Sequence, residues 1–233
     1  MRRLFIVGFW MAGTLLGQGL TSSAALDLYL GRRPSTCEVG DQSVEMKIDA
    51  ALPKLKKQGS MQGLKVISAS GQVAYRFLRF TGDKLVKTDV IARFLTAEAQ
   101  PAEHPGNIAI SRENHKIHFA RVSEHNGTRA YVYELRPRAK RTGLFKGELW
   151  LDANTGAPVR ELGDFVKSPS VFVRKVHFLR DYRGDEVCAP PEWTSITVQT
   201  RIAGDAEMVV MQRPVGSDWA PPSGEGAVSA SQN

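Results

Sequence analysis

The chain has 233 residues, 42% of them hydrophobic, and a formal net charge of +7 at pH 7. That length fits one domain of ordinary size. The cations are spread along the sequence apart from small clusters at Arg32 and Arg33, at 54–57 and at 136–141. No groove-reading motif accompanies them, which sets nucleic acid aside, and a dispersed, solvated charge is more economical than affinity for anionic headgroups or acidic polymers.

In chain order, Met1-Arg2-Arg3 is a short positive opening, and an uncharged apolar run follows from Leu4 to Leu16. A membrane-spanning helix needs roughly 20 apolar residues, so this run is too short to remain as an anchor. It reads as a secretory signal peptide over residues 1–25. Ser23 and Ala25 supply the small-x-small pattern, with the cut after Ala25 and no transmembrane span left afterwards. No cysteine lies at the cut, so lipidation there is not offered. The arginine pair leaves both the general secretory route and the twin-arginine route open. The expected address is the periplasm. Cys37 and Cys188 form an even pair in an oxidising compartment, which predicts one disulfide; two free thiols are the alternative.

Residues 26–42 read as an irregular lead-in and 43–214 as a single antiparallel β domain. In 43–55 Val44, Met46 and Ile48 share one face, a strand pattern, with a turn expected at Lys57-Gln58-Gly59. Strands are predicted at 63–68 and 72–81; in the second, Val73, Tyr75, Phe77 and Arg79 alternate with Ala74, Arg76, Leu78 and Phe80. Residues 84–98 place Val86, Val90, Ile91, Phe94 and Leu95 at helical spacing, with Asp83 or Thr88 as cap. This is the one amphipathic helix expected, packed on a sheet face. Hairpins follow: 115–123 with 128–136 around Asn126-Gly127, and 146–152 with 157–162 around Asn154-Thr155-Gly156. Strands at 170–180, 195–202 and 206–212 complete the domain, and 215–233, rich in Ser, Gly, Pro and Ala, reads as a disordered tail. The predicted fold is mainly β: a curved antiparallel half-barrel with one helix against it.

No nucleophile elbow, zinc-binding HExxH, phosphate loop or dinucleotide fingerprint occurs. His115 and His118 fall three apart on a strand and so face opposite ways, which argues against a metal pair. Glu148, Asp152, Glu161 and Asp164 bracket one hairpin, where turn formation and cross-strand pairing account for them more simply than catalysis does. No cofactor, metal or catalytic residue is expected.

The phrase Leu149-Trp150-Leu151-Asp152, through Thr155-Gly156, to Pro158-Val159-Arg160 resembles periplasmic proteins of the outer-membrane lipoprotein carrier-like fold. That family includes the lipoprotein chaperone and receptor and a lipid-sensing anti-sigma regulator domain. The resemblance spans roughly 43–213 in element order and implies a curved sheet half-enclosing an apolar cavity. No ligand-binding residue carries over by motif. The expectation is a non-enzymatic carrier sheltering a lipid, acyl chain or lipoprotein. The candidate lining is Tyr75, Phe77, Phe119 and Tyr133, then Trp150, Phe172 and Phe178, then Ile196 and Val198. The alternative is an envelope-assembly or interaction module with a filled core, no ligand and an envelope protein as partner.

Overall fold

The computed structural model describes residues 19–31, 42–68, 72–99, 108–168, 173–183, 190–201 and 204–215. The signal run, both cysteines, Phe172 and the residues beyond 215 in the expected tail lie outside them. No helix among the described residues is long and apolar enough to cross a membrane.

Ten antiparallel strands form one sheet: β1 (Gln42–Leu52), β2 (Lys57–Ile67), β3 (Val73–Gly82), β4 (His115–His125), β5 (Thr128–Pro137), β6 (Phe145–Asp152), β7 (Pro158–Phe165), β8 (Val173–Asp181), β9 (Trp193–Thr200) and β10 (Asp205–Pro214). The order is β3-β2-β1-β10-β9-β8-β7-β6-β5-β4. The sheet is open, as a half-barrel is, with β3 and β4 at its edges. Every neighbour is a hairpin partner except β1 and β10, whose pairing from Val44↔Pro214 to Ala51↔Glu207 joins the first three strands to the last seven. The chain leaves the sheet at one edge, after β3, and re-enters at the other, as β4. This crossing lays residues 84–99 over one face.

Period-two burial explains which face that is. In β1, Val44, Met46, Ile48, Ala50 and Leu52 are all buried and the residues between them are not. The covering segment starts under a side-chain cap, the Leu85 amide donating to the Asp83 carboxylate at 2.8 Å. It is π-helical over Val86–Ala92 and continues as α2 (Arg93–Ala99). The wider turn brings Val86 and Ile91, five apart, onto the same face, and both are fully buried. A plain α-helix, as expected from the sequence, would set them askew.

A second helix corrects the expected irregular lead-in. α1 (Ser22–Gly31) is capped by the Thr21 hydroxyl, which accepts from the Ala24 amide at 3.2 Å, and it buries Ala25 and Leu26. The cut expected after Ala25 therefore falls inside a docked helix.

The first turn also differs from expectation. Pro53–Leu55 form a 3₁₀ turn closed by Lys56 at φ 52°, and Lys57-Gln58-Gly59 are already strand. The Asn126-Gly127 hairpin is as the dipeptide predicts, with φ 50° and 78°. In β3, Phe77 sits at φ 55° where the register with β2 shifts, a bulge. The bulge reverses the alternation read from sequence: Tyr75 and Leu78 are buried, and Phe77 is turned outward, 39% exposed.

Two apolar clusters line the covered face. One joins Met46, Ile48, Met61, Leu78, Met208 and Val210 to Val86, Ile91 and Leu95 of the crossing segment. The other joins Tyr133, Leu135, Phe145, Leu149, Leu151 and Phe178 to Leu26 of α1. Ile196 packs against both. Within the second, Gly147 and Gly163 stand opposite each other, and a Cβ on Gly147 would come within 1.9 Å of the Leu162 carbonyl oxygen.

Candidate functional site

The covered face holds six of the nine candidate lining residues, Tyr75, Phe119, Tyr133, Phe178, Ile196 and Val198, and each helix is tied to it by polar groups as well as apolar ones. Under α2, the Lys65 ammonium and the Tyr75 hydroxyl both donate to the Glu98 carboxylate, at 2.5 Å each. Lys65 is buried, its side chain 7% exposed. Burial, with the Glu98 charge beside it, raises the Tyr75 hydroxyl far above its ordinary range, so it stays a donor. A charge so enclosed is tolerable because it is paired and hydrogen-bonded.

Under α1, the Tyr133 hydroxyl donates to the Ser22 carbonyl at 2.5 Å and that of Tyr131 to the Leu20 carbonyl at 2.6 Å. Burial pushes Tyr133 up to about 12. The Leu20 amide donates to the Ala153 carbonyl at 2.9 Å, fixing the approach to the helix. Further along, Tyr29 of α1 and Tyr182 both hydrogen-bond to Glu161, which is 6% exposed, and burial raises both tyrosines. Arg180 reaches the same carboxylate at 3.2 Å. Glu161 is thus a satisfied structural acid. Its hairpin neighbours Glu148 and Asp164 sit elsewhere, Glu148 held low by its hydrogen bond from Arg121 and Asp164 engaged by His177 and Lys175.

The candidate lining residues separate into three groups. Tyr75, Tyr133 and Phe178 are buried in the two clusters, and Ile196 and Val198 pack partly buried against them. Phe119 is on the same face but 50% exposed, edge-on to Tyr131 and Tyr133 at 6.1 and 6.0 Å. Phe77 and Trp150 are turned away. Trp150 pairs with Val132 while its neighbours Leu149 and Leu151 face the cluster. On the outer face its indole lies under Arg121 at 5.4 Å and near Arg160 at 6.0 Å. Its N–H donates to Glu148 at 2.8 Å. Arg121 grips Glu148 at 2.9 and 3.0 Å and Arg160 grips Asp181 at 2.6 and 2.8 Å, so the indole is framed by two bidentate ion pairs. Sequence reading missed this belt, although Arg160 closing the hairpin phrase was its visible half.

Two open hollows of the described surface lie off the covered face. One, of about 470 Å³, lies at the rim between the β4–β5 and β6–β7 turns. Its Asp152 is committed to the amides of Asn154 and Thr155, and its Glu192 to Arg183. The other, of about 400 Å³, overlies Gly147 and Gly163. Neither brings a nucleophile to a base. No cluster of three metal-ligating side chains occurs among the described residues. His115 is the outlier: 1% exposed, tilted against Phe145 at 5.7 Å, with neither ring nitrogen hydrogen-bonded among the described residues.

No family model matches the chain, and no curated protein matches it. Among solved structures it is similar to a LolA superfamily protein from Nitrosomonas europaea, at 15% identity and a TM-score of 0.37 over 83% of this chain and 92% of that one. It is similar to a putative outer membrane lipoprotein-sorting protein domain from Vibrio parahaemolyticus, at 12% identity and a TM-score of 0.32 over 81% and 91%. A DUF1329 family protein from Desulfovibrio piger gives 10% identity and a TM-score of 0.39 over 85% and 94%. The first two bear the name of the fold family that the hairpin phrase resembles. These likenesses concern fold alone, and no residue role is taken from them.

Proposed function

We propose that the protein is an exported, periplasmic binding or carrier protein that shelters a lipid, an acyl chain or a lipoprotein's acyl groups against the covered face of its sheet, without catalysis. One observation carries the reading. Among the described residues, the apolar face of a ten-stranded sheet is closed not by a second sheet but by two short helical covers, each held in part by polar side chains beyond residue 25: Lys65 and Tyr75 on Glu98 of one, Arg112 on Asp27 of the other. Such covers are removable. Lifting one exposes aliphatic and aromatic surface of the kind that shields an acyl chain from water. Native mass spectrometry of protein purified from the cell envelope tests this. The expected spectrum holds a lipid-sized adduct that delipidation removes; a clean unliganded mass under conditions that preserve a known lipid carrier's adduct would sink the proposal.

A second reading rests on β4. Among the described residues it is an edge of 11 residues with no strand on its outer side, and Phe119 and Val122 are exposed along it. An extended segment of an envelope protein adding to that edge would gain main-chain bonds and two apolar contacts. Cross-linking from position 122 to one partner, with no lipid adduct, would favour this reading over the first.

A further inference from the structure

The sheet has two rims, and their connecting segments differ in charge. One rim holds the β1–β2 turn, residue 83 after β3, the approach to β4, and the β5–β6, β7–β8 and β9–β10 connections. Its turns carry Lys54 and Lys56 after β1 and Arg201 after β9. Arg112 precedes β4, Arg138, Lys140 and Arg141 follow β5, and Lys167 follows β7. All eight are exposed. Against them stand Asp83, already paired with Lys57 at 3.3 Å, Glu113, and Asp27 of α1, which pairs with Arg112 at 2.8 Å. The connections of the opposite rim carry, among the described residues, only Arg183 and Glu192, which pair with each other at 2.8 Å.

The basic rim is also built. Arg138 donates to the Arg112 carbonyl at 2.9 Å, Arg141 to the Asn114 side chain at 2.7 Å, and the Arg138 amide to the Asn114 carbonyl at 2.8 Å. These bonds brace two neighbouring loops, and the Val166 amide donating to the Leu144 carbonyl at 3.0 Å adds a third. Lys54, Lys56, Lys140 and Lys167 have no ion pair among the described residues. Two large apolar side chains stand exposed among these cations: Leu55 between Lys54 and Lys56, 43% exposed, and Ile108, 41% exposed and seated against Gly143.

We infer that this rim docks on an anionic lipid surface. Cations distributed around several loops, rather than gathered in a pocket, match a two-dimensional field of headgroup phosphates. Isolated aliphatic tips between lysines suit the headgroup–acyl boundary, where the tip enters the apolar layer and the ammonium groups stay with the phosphates. The described connections of this rim carry no aromatic side chain, so base stacking is not on offer. The docking sets the strands' ends toward the membrane and is independent of whether the covered face takes a ligand.

The test is co-sedimentation of envelope-purified protein with phosphatidylcholine vesicles, with and without phosphatidylglycerol. Binding is expected only with the anionic lipid, and is expected to fall as salt rises. Combining Lys54→Glu, Lys56→Glu, Lys140→Glu and Lys167→Glu is expected to weaken it by at least about tenfold, since each lysine near such a surface contributes to the attraction. Leu55→Ser is expected to weaken it less, and at all salt concentrations. Arg129→Glu with Arg213→Glu, toward the other rim, is expected to leave it unchanged. Thermal melts check folding, and Lys140→Glu with Lys167→Glu substitutes should the fourfold variant unfold. Equal binding to neutral vesicles, no binding to anionic ones, or equal loss in the opposite-rim variant each overturns the proposal. Release by inorganic phosphate at the lipid phosphate concentration assigns the cations to a free-anion site and overturns it too. Binding to heparin without binding to vesicles assigns them to an acidic polymer, with the same result. A lipid adduct by mass without vesicle binding would leave the carrier reading standing and remove only the docking.

Discussion

The two halves of the covered face are closed by different physics. Over β1, β2, β3 and β10, the crossing segment inserts Val86, Ile91 and Leu95 and adds the Lys65–Glu98–Tyr75 clasp. Over β5 to β8, α1 fully buries only Ala25 and Leu26, packs Tyr29 and Leu30 partly buried against the cluster, and is otherwise held through backbone carbonyls, the Tyr29–Glu161 bond and the Arg112–Asp27 pair. A fully buried aliphatic side chain stabilises by about 1.5–3 kcal/mol, a neutral hydrogen bond by about 1. The first cover is therefore the firmer. The second is the one expected to lift with the rest of the molecule folded, and the polar bonds serve to place it more than to bind it.

Substitutions break this contrast in graded steps. Glu98→Ala is expected to cost most, about 3–5 kcal/mol in urea unfolding, because it strands the buried Lys65 ammonium. Adding Lys65→Met should recover much of that loss; no recovery would mean the clasp is not ionic in effect. Ile91→Ala is expected to cost about 2–4 kcal/mol and to lower the global midpoint. Leu26→Ala removes a similar volume, yet its main effect is expected in hydrogen exchange, with α1 amides losing protection while those of β1 keep theirs. A global loss as large as that from Ile91→Ala would erase the distinction between the covers.

His115 gives a pH-dependent version. Its burial beside Phe145 holds the imidazole below its usual pKa. The unfolded chain takes up the proton first, so stability is full above about pH 6.5 and declines as pH falls through that value, by at most about 1.4 kcal/mol per unit. Urea midpoints between about pH 7.5 and 5 should slope less in His115→Phe than in the parent. Smallest is Tyr133→Phe, about 1 kcal/mol, and confined to the α1 end.

Much of the sheet was legible because its signals are local. Asn126-Gly127 located one hairpin, the Asp152 to Pro158 phrase another, and alternation in β1 identified the buried face. What escaped depends on contacts distant in sequence. Phe77 lies at a bulge, where the period of two slips without any residue announcing it, and Phe119 keeps the expected face but stands on the edge strand, where little packs over it. Trp150 looked like core because large apolar residues usually are. Its place was decided by Arg121 and Arg160, one from each side of the indole, and the ion pairs that hold them. The π-helical spacing of Val86 and Ile91 mimics an ordinary amphipathic helix within a single turn. α1 was hidden because Ser22 to Ala25 also satisfy a processing signal.

Were the chain cut after Ala25, as its sequence leads one to expect, processing and folding would meet at this helix. A peptidase acting after Ala25 would remove the Thr21 cap and the Leu20 and Ser22 carbonyls that Tyr131 and Tyr133 reach, leaving six of the ten residues of α1. The precursor and the processed chain would then differ in how tightly the same cover is shut. Such a cut would also place the new amino group of Leu26, a positive charge, where an intact helix had been.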